Sequence, residues 1–194
     1  MRIIFVQNMS NIDSIILCPH NDDEALFCSS LIIRYNIPVI IVFDSFVQEK
    51  RNKLITKEIR RKESENAMKI LGGGLMFWGF RDDENNDEII EEKIKTLSGF
   101  KRIYVPLPEI DGNPQHNLIG ILGQKIFKEK AVMYGTYKSG RSYPTGEVEL
   151  ILMDKEREKK NRALDCYVSQ TKLSDWNKEY FENMRTMSEF LSYA

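Results

Sequence analysis

The stretch SIILCPHNDDEALFCSS, residues 14–30, joins an apolar segment to a helical one through a tight group of charged side chains. Residues 14–19 (SIILCP) have the apolar character of a buried strand, and residues 23–34 are typical of a helix that follows it. In open α/β sheets, ligands bind beyond the carboxyl ends of the strands, where such turns lie. The stretch therefore predicts an α/β fold with a functional site near His20, Asp22 and Asp23.

Strands and helices alternate along the rest of the chain. Short apolar runs predict further strands at residues 38–43, 75–78, 102–107, 131–137 and 148–153. Helical periodicity predicts helices at residues 54–71, 89–97, 116–129, 154–168 and 176–193. The alternation indicates a Rossmann-like, mostly parallel sheet with helices on both faces. No repeat or linker interrupts the pattern, so we expect a single domain over residues 1–194.

The composition excludes several classes of protein. With 42% hydrophobic and 29% charged residues, the chain has the profile of a soluble globular protein. Its formal net charge of -1 argues against a general nucleic-acid binder. No apolar run approaches the roughly 20 residues that a transmembrane helix needs. The opening residues, MRIIFVQNMSNID, contain too few apolar residues for a signal peptide, so we expect a cytoplasmic protein.

Cysteine and histidine limit the metal chemistry. The three cysteines, Cys18, Cys28 and Cys166, form no Cys-x-x-Cys motif, which favours reduced thiols over a disulfide framework. The two histidines are His20 and His116, so a site of three histidines is excluded.

The acidic group at the end of the first predicted strand has two interpretations. Asn21 as the N-cap of a helix, with Glu24 at the third helical position, would form a capping box. That interpretation leaves His20 and the adjacent carboxylates Asp22 and Asp23 without a role. Neighbouring carboxylates repel each other, and a bound cation is the simplest way to hold them together.

A second polar segment supports a cation. Residues 109–120 (EIDGNPQHNLIG) follow the predicted strand at 102–107 and contain His116. If His20, Asp23 and His116 converge, they form a set of two histidines and one carboxylate that leaves a position for water, as in catalytic zinc sites. Asp22 would then be free to act as a general base. Taken alone, His116 is also explained as a surface histidine at a helix N-terminus.

Five motifs in the same order resemble the PIG-L/LmbE-like family of zinc-dependent N-acetylglucosaminyl deacetylases. Residues 19–24, PHNDDE, are similar to the family's Pro-His-Pro-Asp-Asp-Glu, with Asn21 in place of the second proline. The others are the Arg-x-x-Glu-x-x-x-Ala-x-x-x-Leu-Gly pattern at residues 60–72, GFRD at 79–82, NPQH at 113–116, and Lys-x-x-Ala-Leu-x-x-Tyr-x-Ser-Gln at 160–170.

The resemblance implies a role for each matching residue. His20, Asp23 and His116 would bind Zn²⁺, with Fe²⁺ as an alternative, and Asp22 would be the general base. Asn113 stands where the family has a histidine that is implicated in stabilising the oxyanion or handling a proton. An asparagine amide can donate a hydrogen bond but cannot carry a proton, so the acid role would also fall on Asp22. Arg60 would contact the substrate.

The expected function is removal of an N-acetyl group from an N-acetylhexosamine-containing substrate, with an amino sugar as product. One alternative is a zinc amidohydrolase that acts on a non-sugar acylated amine. Another is a sugar-binding protein with weakened catalysis, because Asn113 replaces the usual histidine. We expect no nucleic-acid partner, and a homo-oligomer is compatible with the sequence.

Three further segments have two interpretations each. The basic residues around Arg60 form either a phosphate-binding rim or a solvated helix face. Residues 137–147 either cover the site or simply connect two elements. The stripe on the last predicted helix is expected to pack on the sheet, with a dimer or lipid contact as the alternative; it consists of Trp176, Tyr180, Met184, Met187 and Leu191.

Overall fold

The computed structural model describes residues 13–44, 48–50, 53–81, 83–84, 86–137 and 143–193. Its strands, in chain order, are Ser14–Cys18 (β1), Val39–Phe43 (β2), Gln48–Lys50 (β3), Lys53–Ile55 (β4), Leu75–Phe80 (β5), Arg102–Pro106 (β6), Ala131–Tyr134 (β7), Val148–Leu150 (β8) and Glu189–Tyr193 (β9). Its helices are Asp23–Phe27 (α1), Ser29–Tyr35 (α2), Lys57–Leu71 (α3), Asp87–Lys95 (α4), Pro114–Phe127 (α5), Asp154–Leu164 (α6), Val168–Thr171 (α7) and Asp175–Met184 (α8). A 3₁₀ turn, Lys128–Lys130, follows α5.

Seven strands form one sheet in the order β5-β2-β1-β6-β7-β9-β8. The first five are parallel to one another, and β9 pairs antiparallel with both β7 and β8. The predicted Rossmann-like, mostly parallel sheet is therefore confirmed. The chain order reverses direction between β1 and β6, which is where α/β folds of this kind bind ligands.

Both faces of the sheet are buried, as the continuous apolar runs predict. Along β1, Ile16 and Cys18 belong to a core formed with α1, α2, α3, α6 and α8. Ile15 and Leu17 belong to a second core on the opposite face, formed with α4 and α5. The period of two along a strand thus divides the side chains between two helical layers.

The C-terminal segment corrects the predicted helix at 176–193. The helix ends at Met184, and Glu189–Tyr193 is a strand. The apolar spacing of Met184, Met187 and Leu191 fits a helix, but Glu189 is 1% exposed and requires a partner in the interior. That partner is Lys160, whose Nζ lies 2.9 Å from Glu189 Oε1. The long-range ion pair and the pairing with β7 override the local periodicity.

Two other predicted helices also differ from the structure: one begins later than predicted, and one is interrupted. The predicted helix at 54–71 begins at Lys57, because Lys53–Ile55 pairs with Gln48–Lys50 and Thr56 is the N-cap, its hydroxyl accepting from the Ile59 N–H. The predicted helix at 23–34 is interrupted at Cys28, which lies between α1 and α2.

Within the described ranges, no helix is both long enough and apolar enough to span a bilayer.

Candidate metal centre and active site

Four adjacent parallel strands direct polar or aromatic residues to one edge of the sheet. Asp44 directly follows β2, His20 follows β1, His116 lies in the first turn of α5 after β6, and Tyr137 follows β7. Because the carboxyl ends of these strands point the same way, their connections meet at the point where the strand order reverses.

His20, Asp23 and His116 lie together at this point. Their ligating atoms all fall within 4.8 Å of one another. Nδ1 of His20 lies 3.3 Å from Nε2 of His116. Oδ2 of Asp23 lies 3.7 Å from the first ring nitrogen and 3.3 Å from the second. Among the predicted site residues, these three form the convergent set that a divalent cation requires.

The position of His116 depends on how closely α5 packs on β6. A Cβ atom built on Gly123 would lie 2.6 Å from Cγ1 of Val105, so glycine permits this approach. Asn113 caps the helix, its side-chain oxygen accepting from the backbone N–H groups of Gln115 at 2.9 Å and His116 at 3.3 Å. The helix thereby places His116, 1% exposed, in the interior of the site.

The protonation states suit a metal site. Burial lowers the pKa of His20 to about 4, against the opposing effect of Asp23, so its imidazole is neutral near pH 7. Burial acts to raise the pKa of Asp23, but His116 and His20 together hold it below its usual value. Neutral imidazoles and an ionised carboxylate are the forms that bind metals. Two nitrogen ligands and one oxygen ligand fit Zn²⁺, so the residues present match the ion that the motifs imply.

The turn that carries these ligands is held by a buried polar network. Asp22 has a φ of 104°, in the left-handed region that side chains rarely adopt, and its N–H donates to Oε2 of Glu24 at 3.0 Å. The hydroxyl of Tyr167 donates to Oε1 of Glu24 and lies 3.3 Å from the Ser64 hydroxyl. The amide of Asn21 donates to Ser64 Oγ at 3.0 Å. Strain of this kind persists where the surroundings over-determine it, often at functional sites.

This network corrects the capping-box interpretation. The N-cap position of α1 is Asp22, and no side chain caps it. Asn21 instead reaches α3, at Ser64 and the backbone oxygen of Arg60. The local pattern was misleading because partners on α3 compete for the asparagine amide.

Asp22 lies beside the three candidate ligands and pairs with Arg60. The Nη2 atom of Arg60 lies 3.1 Å from Oδ2 of Asp22 and also donates to the backbone oxygen of Asn21. Burial raises the pKa of Asp22 well above its usual value, with Arg60 opposing the change and Asp23 adding to it. A carboxyl group with a raised pKa suits general acid–base work. Arg60 lines the cavity, but part of its guanidinium already pairs with the Asp22 carboxylate.

Both ends of the Asn113 side-chain amide have partners within the protein. Its oxygen caps α5, and its amide nitrogen donates to the hydroxyl of Tyr137 at 3.3 Å. The Tyr137 ring lies 5.2 Å from the His116 ring, centroid to centroid. Burial raises the pKa of Tyr137, so its hydroxyl stays protonated. Because that oxygen accepts from Asn113, its own proton is available to another acceptor.

A cavity of about 240 Å³ opens onto these residues. One part of its lining is aromatic: Trp176 and Tyr180 stack with centroids 5.4 Å apart, and Tyr137 meets both rings edge-on. The stripe on α8 therefore packs inward, and its first two residues also form cavity wall. Sequence reasoning missed this role, because the stripe is equally well explained by core packing. Tyr137 was named only as the first residue of the segment 137–147 that could cover the site.

Asp44 was also missed. Its carboxylate is 3% exposed and lines the same cavity. The available signal was its position, since it follows β2 directly, as the His20 turn follows β1.

The motifs at residues 60–72 and 160–170 also contribute contacts that hold together the elements around the site. Glu63 accepts from the backbone N–H and the hydroxyl of Ser169, both at 2.6 Å, and so ties α3 to α7. Lys160 donates to the backbone oxygen of Leu26 at 2.8 Å and to Glu189 at 2.9 Å. Both charges of this second pair are fully buried, and they join α6 and β9 to the end of α1.

Parts of three segments named in the sequence analysis lie outside the residues that the structure describes. Of the basic residues near Arg60, Arg61 pairs with Asp44, and Lys62 is exposed and lies 3.5 Å from Glu65. The side chains of Lys50, Arg51 and Lys53 lie outside the described parts, as do Asp82 of the GFRD motif, residues 138–142 of the predicted covering loop and residues 1–12.

The comparisons with known proteins identify a family and a fold. The family model described as PIG-L, GlcNAc-PI de-N-acetylase, matches residues 15–127. Curated proteins include no significant match. Among solved structures, a triple mutant of a deacetylase in the teicoplanin biosynthetic pathway has a TM-score of 0.70 at 16% identity, covering 91% of this chain and 94% of that one. The A40926 pseudoaglycone deacetylase Dbv21 has a TM-score of 0.66 at 18% identity, covering 84% of each chain.

The fold also occurs with another activity. GalB, the 4-carboxy-2-hydroxymuconate hydratase of Pseudomonas putida KT2440, has a TM-score of 0.62 at 15% identity, covering 92% of this chain and 95% of that one. The structural likeness therefore shows the fold, and the reaction has to be argued from the site. The matched region extends from β1 through α5, more than half of the chain, and includes both candidate histidines. This protein belongs to the PIG-L family of GlcNAc-PI de-N-acetylases.

Proposed function

We propose that this chain is a metal-dependent N-deacetylase that hydrolyses the acetamide of an N-acetylated amino sugar. The observation that carries the proposal is the convergence of the ligating atoms of His20, Asp23 and His116 within 4.8 Å, beside a cavity that His20 and Asp22 line. Family membership supports the reaction class, since the family model is that of a de-N-acetylase.

His20, Asp23 and His116 would hold the ion, and Zn²⁺ is the ion their chemistry fits best, with Fe²⁺ as the alternative. When bound in such a site, a divalent ion lowers the pKa of water and polarises a carbonyl group. The low pKa of His20 supports binding at neutral pH, because no proton competes for its ring nitrogen.

Asp22 moves the proton. It accepts a proton from the attacking water while the water oxygen bonds to the acetyl carbon, and it delivers that proton to the amine nitrogen as the C–N bond breaks. The products are acetate and a free amino sugar. The raised pKa of Asp22 supports both halves of this role. Arg60, 3.1 Å from its Oδ2, fixes the direction of the carboxylate.

Tyr137, rather than the residue at position 113, stabilises the developing oxyanion. Its hydroxyl accepts from Asn113 at 3.3 Å, which leaves its proton free to donate to the acetyl oxygen. We therefore assign Asn113 a positioning role, in which it orients Tyr137 instead of contacting the substrate itself. A donor of this kind typically contributes about 2.7–4 kcal/mol of transition-state stabilisation.

The test is acetate release by the purified chain loaded with Zn²⁺. We expect release from N-acetylglucosamine or its phosphatidylinositol conjugate, with an equal amount of free amine, and little from acetylated non-sugar amines. Release from non-sugar amines alone would favour the amidohydrolase alternative. Sugar binding without release, in a zinc-loaded protein, would favour the weakened homologue and reject the proposal.

A further inference from the structure

The described residues contain seven buried side-chain nitrogen or oxygen atoms that lack a hydrogen-bond partner, and three belong to residues that line the cavity. They are Oδ1 of Asp44, Nε of Arg60 and the hydroxyl of Tyr180. Native proteins pair nearly all buried polar atoms, so each exception needs an explanation. Because these three residues line one cavity, a polar molecule that occupies it could supply the missing partners.

Asp44 is held through both its backbone and its side chain. Its backbone N–H donates to the backbone oxygen of Phe80 at 3.2 Å, which fixes its position after β2. Oδ2 accepts from Nε of Arg61, and the Arg61 guanidinium in turn lies 4.8 Å from the centroid of the Phe77 ring. One carboxylate oxygen is thus committed to a charge partner, while Oδ1 has none.

The chemistry of this oxygen selects its partner. A buried acceptor without a donor costs about 1–3 kcal/mol, and more when it is charged, so a ligand that supplies the donor gains that energy. Arg61 already balances the charge of Asp44, and a second cation is not required. A neutral O–H group meets the need.

A ring that carries several hydroxyl groups would meet all three needs. It offers a donor to Asp44, an acceptor to Arg60 and either to Tyr180, while its C–H face can cover the stacked rings of Trp176 and Tyr180. We propose that Asp44 is a substrate-binding residue whose Oδ1 accepts a hydrogen bond from a hydroxyl of the sugar ring. This inference rests on the proposed function and adds a residue that determines which sugar is accepted.

The experiment pairs changes in the protein with changes in the sugar. We would measure kcat/KM for acetate release from N-acetylglucosamine and its 3-, 4- and 6-deoxy analogues, with the wild type, Asp44→Ala and Asp44→Asn. For one deoxy analogue, kcat/KM of the wild type should be about tenfold or more below its value for N-acetylglucosamine. For the same analogue, kcat/KM of Asp44→Ala should differ from its value for N-acetylglucosamine by less than about twofold. Asp13→Ala is the matched control, because it removes an exposed ion pair with Lys101 just before β1 and should keep the wild-type pattern.

Asp44→Asn covers the case in which the alanine variant does not fold. Its side-chain oxygen can still accept from Arg61, and an NH₂ group then replaces Oδ1. The sugar hydroxyl can only accept from that group, so a charge-assisted hydrogen bond is exchanged for a weaker neutral one, and discrimination should fall below the wild-type value without disappearing. A structural role alone would lower activity towards all four sugars by the same factor. That result, in whichever variant folds, would overturn the inference.

Failure of the proposed function is separable from failure of this inference. If the wild type releases no acetate, the same sugars are compared by calorimetric binding to the zinc-loaded wild type and variants. A deoxy sugar that binds the wild type more weakly than the parent sugar, with the difference lost in Asp44→Ala, would support the role of Asp44. Equal discrimination by both proteins, or no binding of any of the sugars to the wild type, would overturn it.

Discussion

Nδ1 of His20 lies 3.3 Å from Nε2 of His116, although the two residues are 96 positions apart in the chain. Both nitrogens also face Oδ2 of Asp23, at 3.7 Å and 3.3 Å. Three electron-rich atoms that converge in this way are stabilised most simply by a shared cation. The relationship makes metal binding directly testable.

We expect the purified chain to bind a single equivalent of Zn²⁺, and His116→Ala and His20→Ala to lose it. Removal of the ion with a chelator should lower the melting temperature, because a ligand that binds only the folded state stabilises it. Elemental analysis and thermal unfolding check both points. Asp83→Ala, at an exposed ion pair with Arg81, should keep its zinc. An unchanged zinc content in both histidine variants would show that the ligands are wrong.

Asp22→Asn should keep the metal and lose turnover. The substitution preserves size and the contact with Arg60, but an amide cannot accept the proton from water. We expect kcat to fall by about 10²–10⁴-fold, the usual range for loss of a general base. Zinc content and acetate release, measured on the same preparation, separate this result from loss of the ion. Turnover near the wild-type rate would reject the assignment.

Tyr137→Phe should lower kcat about 10²–10³-fold with little change in KM, because it removes a donor that acts on the developing oxyanion. Steady-state kinetics give both constants. Tyr143→Phe is the matched control, since Tyr143 is exposed and its hydroxyl accepts from Asn183 at 3.0 Å. Its constants should stay at the wild-type values.

The positioning role of Asn113 predicts non-additive effects. Serine is also a good N-cap, so Asn113→Ser should keep α5 and the melting temperature while removing the donor to Tyr137. We expect a smaller fall in kcat than in Tyr137→Phe, and no further fall when both changes are combined. If the fall in kcat of the double variant equals the product of the two single-variant falls, Asn113 acts independently of Tyr137.

Trp176→Ala should weaken substrate binding. The Trp176 ring stacks on Tyr180 at the cavity wall, and loss of its contact with a sugar face should raise KM by about three- to tenfold. Trp78→Ala removes a tryptophan that packs with the core on the other side of the sheet. Melting temperatures of both variants show how much each change destabilises the fold. Only Trp176→Ala should have a higher KM than the wild type, and equal KM values in the two variants would contradict a binding role for Trp176.

Lys160→Met should destabilise the fold by about 3–5 kcal/mol, because it leaves the buried Glu189 charge without its partner. The double variant Lys160→Met/Glu189→Gln should recover part of that loss. Urea unfolding gives the free energies. Lys101→Met removes an exposed ion pair and should change stability by less than about 1 kcal/mol. A small effect of Lys160→Met would mean that the pair contributes little to joining β9 and α6.

The sequence predicted most of the sheet and the place of the site. Runs such as VIIVF are buried on both faces wherever they occur in a parallel sheet, so composition alone identifies β2. The turn after β1 and the start of α5 were both identified as candidate sites, because polar residues directly follow apolar runs there. The expected set of His20, Asp23 and His116 lies together, with Asp22 beside it.

Tertiary structure alone decided the rest. Glu189 lies in a strand because a buried lysine 29 positions earlier pairs with it, and no local pattern contains that information. Asn21 contacts α3 instead of capping α1, and Tyr137 and Trp176 join the cavity, because segments far apart in the chain meet there. Periodicity records which side of an element is apolar, whereas the identity of the partner on that side is set by the packing of the whole chain.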